Sequence, residues 1–488
     1  MRKEVVVAGA LSATAVVGLV VYQELKRTRH WRRANRVVNN FGKQCATPLK
    51  KLLKLADAMA FQMQVGLASD DNSRLQMIAT DHIDSLPTGD EEGLFYGMEL
   101  GRTDLRLSRV KLGGKGSGVI SQEVKTVPIP TSLMVGSLKD LLDFIAGELQ
   151  NFVTKEDESF HVPSGKQRQL GFAASFPVYL QSDKTVIQWS RGFSLKDTEG
   201  KDMIEEINRA IQNKGIEDLH VSALVNDTVA TLASGRYFGS NAVAAVILGM
   251  STNASYVEEA LTVPKCKGPL PLSGEMVIDI EWGNFHSEDL PITEFDICLD
   301  VESLNPGEQI FDKLISGVCL GEIVRKVLLR IGEETPVLGN SVPPKLRIPF
   351  ALRTSDMAAM HQDSSEGQEV VGEKLKERLG IVDSSPRVRE LAVKICEIVA
   401  KRAARLSAAA IVGILKKQGR MEEQQQILVA VDGGPFEHYR LYRDCLQNTV
   451  NEMLGSGFGS TVVMKHLCDG AGIGAALLAA SFSHYAKD

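Results

Sequence analysis

Two short turns constrain this chain more than any other feature. Leu248-Gly249-Met250-Ser251-Thr252-Asn253 repeats with variation Leu100-Gly101-Arg102-Thr103-Asp104, and each stands between two apolar, strand-like runs. Two hairpins with polar tips follow from that pattern. Glycine at such a tip lets backbone N–H groups approach a phosphate closely, so both turns read as phosphate cradles in which a glycine has been replaced. Around each turn the order is the same, hairpin and then alternating strand and helix, which implies two α/β lobes related by duplication. A ligand is then expected between them, near strand ends. A chance match of glycine and threonine in two turns is the competing reading.

At 488 residues the chain is too long for one ordinary core, and 44% hydrophobic with 24% charged residues is a globular composition. A net charge of -6 argues against general nucleic-acid binding. The seven cysteines are odd in number and show no CxxC pairing, which favours reduced thiols in a cytosolic setting.

The N-terminus departs from this picture. Val5 to Tyr22 is apolar apart from Ser12 and Thr14, about the minimum length that spans a bilayer as a helix. Arg2 and Lys3 precede it, and Lys26, Arg27, Arg29, Arg32 and Arg33 follow, so the body is expected on the cytosolic side. A cleaved secretory signal is the competing reading, with small residues at Ala13-Thr14-Ala15. The sequons at Asn226 and Asn253 count against it, because both lie in apolar surroundings that a glycan would disrupt.

Beyond residue 30, Trp31 to Leu67 reads as two helices, the second opened by Pro48, and Ser137 to Val153 as another. Strands dominate Ala242 to Trp282, and helices dominate 309–331 and 388–417. The strand Ile427–Val431 meets Asp432-Gly433-Gly434 and one helix from Pro435 to Leu454, and a small-residue helix runs from Gly474 to Ser483. The expected division is an anchor and basic flank (1–30), a helical part of the large lobe (31–87), a small lobe (88–225), a large lobe (226–468) and a C-terminal helix returning to the small lobe (469–488).

Several residues could do chemistry. The strand His220–Val225 delivers Asn226-Asp227-Thr228 onto a helical stretch, where Asp227 could take a proton from a substrate hydroxyl; an N-cap is the competing reading. Alternation puts Asp279 and Glu281 on one strand face, where an acid can hold a sugar hydroxyl or merely face water. Ser175 sits in an apolar strand, and Trp189-Ser190-Arg191-Gly192-Phe193 looks like an exposed turn with an aromatic edge. Asp432-Gly433-Gly434 could admit nucleotide phosphates. The glycines at 470, 472 and 474 open a helix either for the same purpose or for close packing. No GxxxxGK[ST] motif occurs, and histidine and cysteine spacing offers neither a zinc site nor a Ser-His-Asp arrangement.

Taken together, these segments resemble the hexokinase family, specifically the membrane-anchored plant hexokinases and the hexokinase-like proteins with altered phosphate loops. The likeness is carried by Cys45-Ala-Thr-Pro48, Phe172 to Val178, Leu224 to Val229, Glu281 to Phe285, Ser303 to Gly307, Arg402 to Ser407 and Asp432 to Gly434, in order. The resemblance implies an actin-like, ribonuclease H-like α/β fold whose small and large lobes close over a hexose and MgATP. It implies Asp227 as catalytic base. Ser175, Ser190, Arg191, Asn226, Asn253, Glu281 and Asp312 would hold the hexose: glucose, or fructose or mannose. Glu99, Gly101, Arg102, Thr103, Asp104, Arg106, Gly249, Met250, Thr252, Thr354, Asp432, Gly433 and Gly434 would face ATP and phosphate, with magnesium carried on the nucleotide. The anchor at 5–22 would lie in the mitochondrial outer membrane, or alternatively the plastid outer envelope.

This chain departs from the family where phosphate is held. The family's Asp-Leu-Gly-Gly-Thr-Asn-Phe-Arg is here Glu99-Leu-Gly-Arg102-Thr-Asp104-Leu-Arg106, and its Gly-Thr-Gly-Thr-Asn is Gly249-Met250-Ser251-Thr252-Asn253. Arg102 puts a long side chain where bare backbone should approach phosphate and is expected to meet an unfavourable φ. Met250 removes a hydroxyl donor and fills space, Asp104 adds negative charge beside a polyanion, and Glu99 moves its carboxylate outward. These changes weaken transition-state stabilisation, so hexose phosphorylation is expected to be reduced or lost. The alternative is a silent glucose-binding regulatory protein, and a bare interaction scaffold is a third reading.

Overall fold

In the computed structural model of the chain, residues 2–69, 73–80, 83, 85–155, 160, 167–181, 184–190, 192–239, 241–266, 270–271, 273–420, 425–455 and 457–485 are described, with backbone alone for 2–21, 23 and 482–485. The chain divides into two compact units. One comprises Met1–Thr47, Pro291–Gly307 and Val318–Ala403, the other Pro48–Leu290, Glu308–Gly317 and Ala404–Asp488.

The second unit carries both large sheets. Its strands are β1 (Met77–Ala79), β2 (Glu92–Leu100), β3 (Asp104–Gly113), β4 (Val119–Pro128), β5 (Arg168–Ala174), β6 (Val178–Gln181), β7 (Lys184–Ile187), β8 (Leu219–Asn226), β9 (Ala242–Leu248), β10 (Thr252–Glu259), β11 (Glu275–Ile280), β12 (Ile427–Asp432) and β13 (Val462–His466). One sheet runs β4-β3-β2-β5-β8 and the other β1-β11-β10-β9-β12-β13, while β6 and β7 form a small ribbon. In the first, β2, β3 and β4 are antiparallel, and β2, β5 and β8 are parallel. In the second, β9, β10 and β11 are antiparallel, and β9, β12 and β13 are parallel. Apart from the added β1, the two sheets have the same topology, and the repeated turns join corresponding strands, β2 to β3 and β9 to β10. Duplication is therefore visible in the strand order as well as in the turns.

Two helices lie against these sheets. Asp227–Phe238 packs on β9, β10 and β12, Gly470–Tyr485 packs on β2, β3, β5 and β8, and the two helices pack on each other. The approach is close enough to need glycine. A β-carbon at Gly474 would collide with the Ala230 carbonyl, and one at Gly171 or Gly97 would collide with the backbone of the C-terminal helix. At Gly474 the glycine therefore serves packing, and the helix starts at Gly470 rather than 474. Strand β9 is apolar throughout and almost wholly buried, as a strand flanked on both edges and covered on its faces requires. Behind the five-stranded sheet, the amphipathic helices Leu138–Val153 and Met203–Asn213 bury Leu141, Ile145, Leu149, Ile207 and Ile211 in one core. Ser137 and Asp202 cap them, accepting from the N–H groups of Asp140 and Glu205.

The first unit is helical. A continuous helix, Arg2–Gln44, buries Ala34, Val38 and Phe41, and Phe41 meets Phe295 edge-on at 5.3 Å. Arg402 is buried there, its two terminal nitrogens each 2.7 Å from an oxygen of Asp296. The helix that begins at Leu49 follows Pro48 at its N-cap, as the sequence indicates, but the first helix starts far before Trp31. The expected anchor at 5–22 falls almost entirely on side chains outside the description. Among the described residues, no helix is long and apolar enough to cross a membrane.

Candidate functional site

The first repeated turn closes β2 onto β3 by a hydrogen bond from the Gly101 N–H to the Asp104 carbonyl, 2.9 Å. Arg102 is not among the residues with positive φ, so the backbone strain expected from replacing glycine is absent. Cross-strand pairing sets Glu99 opposite Arg106. The Arg106 guanidinium reaches three carboxylates: Asp104 at 3.2 Å, Glu99 at 3.6 Å and Asp469 at 3.9 Å. The Thr103 hydroxyl lies 3.3 Å from the other Asp104 oxygen.

Glu99 is 9% exposed. Burial pushes its carboxyl up to about 8; Arg106 opposes the shift, and Asp227, Asp432 and Asp104 add to it. Burial also raises Asp432, against the Gly433 N–H, Arg106 and His466. Carboxylates from the ends of β2, β8 and β12, far apart in sequence, thus feel one another. Buried carboxylates that repel one another in this way mark a candidate functional cluster. The Glu99 oxygen that Arg106 approaches is buried and has no hydrogen-bond partner among the described residues.

The second turn is held from two sides. The Gly249 N–H donates to the Ser251 carbonyl at 3.1 Å, and its own carbonyl accepts from the Gly317 N–H at 2.8 Å. Gly433 has φ 114° and packs so closely on the strand end that a β-carbon would collide with the Leu248 carbonyl. Asp432-Gly433-Gly434 therefore abuts the Gly249 turn directly, with the Gly433 N–H donating to Asp432 at 2.6 Å. Met250, in the turn itself, is 43% exposed. Thr252, expected to face phosphate, is buried. Its N–H and hydroxyl donate to Asp312 at 2.7 and 2.8 Å, and the hydroxyl accepts from the Trp282 indole at 3.0 Å. One oxygen of Asp312 is thereby tied to the hairpin. Thr354 belongs to the other compact unit, where its hydroxyl accepts from the Gly321 N–H at 3.0 Å.

At the end of β8 the cap reading of Asn226-Asp227-Thr228 is decided. Asn226 is the cap. Its carbonyl oxygen accepts from the Thr228 N–H at 2.9 Å, and its amide donates to the Phe176 carbonyl at 2.9 Å. Asp227 is the first residue of the helix that follows, largely buried, so its carboxylate is not the capping group. The Thr228 hydroxyl lies 2.7 Å from Asn226 and 3.1 Å from Asp279. Asn253, 3% exposed, donates from one amide nitrogen to Asp279 at 2.9 Å and Glu281 at 3.1 Å. Its carbonyl oxygen is buried and has no hydrogen-bond partner among the described residues. Asn226, Thr228, Asp279, Asn253 and Glu281 thus form one buried polar chain.

Ser175 continues β5, its N–H donating to the Leu100 carbonyl at 3.0 Å. Ser190 is half-buried beside Trp189, which packs against Phe176 at 5.4 Å and Phe193 at 5.9 Å. That turn is an aromatic cluster rather than the exposed edge expected. Arg191 lies outside the described residues. Asp279 and Thr228 were not singled out as binding residues, although the alternation that placed Asp279 on the Glu281 face was the signal for one of them. Asp469, at φ 52° before the C-terminal helix, had no such signal.

Two models of the hexokinase family match this chain, over residues 37–237 and 243–481. It is 52% identical to Hexokinase-2 of Solanum tuberosum, over 99% of this chain and 98% of that protein. It is 49% identical to Hexokinase-1 of Arabidopsis thaliana, over 99% and 98%. Among solved structures, a hexokinase from Schistosoma mansoni complexed with glucose matches with a TM-score of 0.82 and 28% identity, covering 93% of this chain and 99% of that one. The duplicated sheets, the paired turns and these relatives agree: the chain has the hexokinase fold and belongs to the hexokinase family.

Proposed function

We propose that this chain binds glucose through Asn253, Glu281, Asn226, Ser175 and Ser190 and transfers the γ-phosphoryl group of MgATP to the sugar's 6-hydroxyl, slowly, with Asp227 as base. The observation that carries the reading is the buried Asn253 side chain. Its amide is fixed by Asp279 and Glu281, and its carbonyl oxygen has no hydrogen-bond partner among the described residues. A buried acceptor without a partner costs about 1–3 kcal/mol, which a sugar hydroxyl would remove. Glucose is the ligand named for the Schistosoma mansoni relative.

In the transfer, Asp227 accepts the proton of the 6-hydroxyl as its oxygen bonds to the γ-phosphorus and the bond to ADP breaks. The backbone of the Gly101 and Gly249 turns and the Asp432-Gly433-Gly434 turn faces the phosphates. Magnesium carried on the nucleotide would supply charge neutralisation there. Glu99 and Asp432 would face it, and its charge would favour the ionised carboxylates that burial disfavours in its absence. The rate is low because Arg102 crowds one cradle, Met250 supplies no hydroxyl in the other, and Asp104 adds negative charge beside the Glu99 cluster. That same acid crowding favours the second reading, a glucose-binding regulatory protein without turnover.

Membrane attachment through residues 5–22, at the mitochondrial outer membrane or else the plastid envelope, is part of the proposal and rests on the sequence pattern. Titration calorimetry of the full chain with glucose tests the hexose site. Saturable binding that Asn253→Ala abolishes is expected, and equal heats from both proteins would remove the reading.

A further inference from the structure

The helical unit holds a cavity of about 770 Å³, and none of the residues assigned above to hexose or phosphate lines it. One wall is the helix Arg2–Gln44, where Arg29, Arg32, Arg33 and Arg36 recur at three- and four-residue intervals and so form one stripe. The position of the stripe is fixed, because Ala34, Val38 and Phe41 on another face are buried in the unit's core. Arg330 and Glu334, on the helix Leu320–Glu334, and Glu294 complete the lining used here.

The charges do not cancel. Glu334 serves two of the five arginines, Arg33 at 2.9 Å and Arg330 at 2.6 Å, and those bonds hold its carboxyl below the usual range. Arg29, Arg32 and Arg36 have no hydrogen bond or ion pair among the described residues, and Glu294 is the one further carboxylate in the wall. A chain with a formal charge of -6 thus gathers uncompensated positive charge around one cavity. Arginine rather than lysine at all five positions offers planar forks, the geometry that meets phosphate oxygens in pairs. The volume is that of a small-ligand site.

We propose that this cavity binds a ligand carrying several phosphate ester groups, held mainly by Arg29, Arg32 and Arg36. The same chemistry is offered by a free polyphosphorylated small molecule and by the headgroup of a polyphosphorylated lipid. The helix that bears the stripe also carries the apolar run 5–22, which brings the second source within reach.

The test uses the full chain. With myo-inositol hexakisphosphate as the free probe, saturable binding that weakens with salt is expected. Arg32→Ala with Arg36→Ala should weaken it about tenfold or more, the corresponding double lysine variant should restore part of the loss, and Glu294→Gln should tighten binding. The second arm uses phosphatidylcholine vesicles with and without phosphatidylinositol bisphosphate. Recruitment that depends on both the lipid and the two arginines assigns the headgroup, and binding of the soluble probe alone assigns a free ligand. Unchanged glucose binding by the double alanine variant shows that it is folded. Equal affinity of wild type and the double alanine variant for both probes, or no saturable binding of either, overturns the proposal.

Discussion

Glu99→Gln tests the electrostatics of the phosphate side. Burial raises the Glu99 carboxyl from its ordinary 4.5 to about 8, so the folded chain holds this proton far more tightly than the unfolded chain does. The stability contributed by the protonated form is fully present below about pH 4.5 and is lost as the pH rises through about 8. Compared with a neutral glutamine, the carboxyl costs the fold about 2 kcal/mol near pH 6 and about 4–5 kcal/mol near pH 9. Glutamine keeps the shape and gives up the attraction of Arg106, which is already included in the shift. Urea denaturation of both proteins across this range is the assay. The advantage of the glutamine variant should grow by about 2–3 kcal/mol from about pH 6 to about pH 9. A pH-independent difference, or a variant that loses ground at high pH, would refute the reasoning that Glu99 is a buried carboxyl among other carboxylates.

Two further substitutions probe the turns. Gly433→Ala should cost about 2–4 kcal/mol in urea denaturation, since it combines φ 114° with a collision against the Leu248 carbonyl; unchanged stability would mean the two turns do not abut. Arg102→Gly with Met250→Thr should raise turnover about tenfold in a coupled assay while costing no more than about 1 kcal/mol of stability. Unchanged turnover would show that the cradles are not what slows transfer.

Much of this was legible in the residues because the signals are local. The hairpin tips, the strand that delivers Asp227, the Pro48 helix start and the face shared by Asp279 and Glu281 all follow from short patterns of glycine, proline and alternation. Contacts between distant segments were not legible. Nothing near Thr252 announces that Asp312, sixty positions on, will accept both of its hydrogens. Arg106 meets Asp469 only because the C-terminal helix returns to the five-stranded sheet. The segment expected as one helix from Pro435 breaks at Tyr439, a buried residue at ψ 79°, with neither glycine nor proline to mark it. The glycines at 470–474 were ambiguous in sequence because a phosphate turn and a tight helix contact both require the missing side chain. At Arg102 the arginine replaces the family's glycine without a positive φ, because the turn there does not use the left-handed region.

The claim that the hexose site leads to phosphoryl transfer through Asp227 is tested most directly by one comparison. Full-length chain and Asp227→Asn are given glucose and MgATP, and glucose 6-phosphate is followed by a coupled dehydrogenase. Wild type should form product at a rate about a hundredfold or more above the variant, with glucose binding retained in both. Equal rates, or glucose binding by wild type without any product, would contradict the account and leave a binder of glucose that does not phosphorylate it.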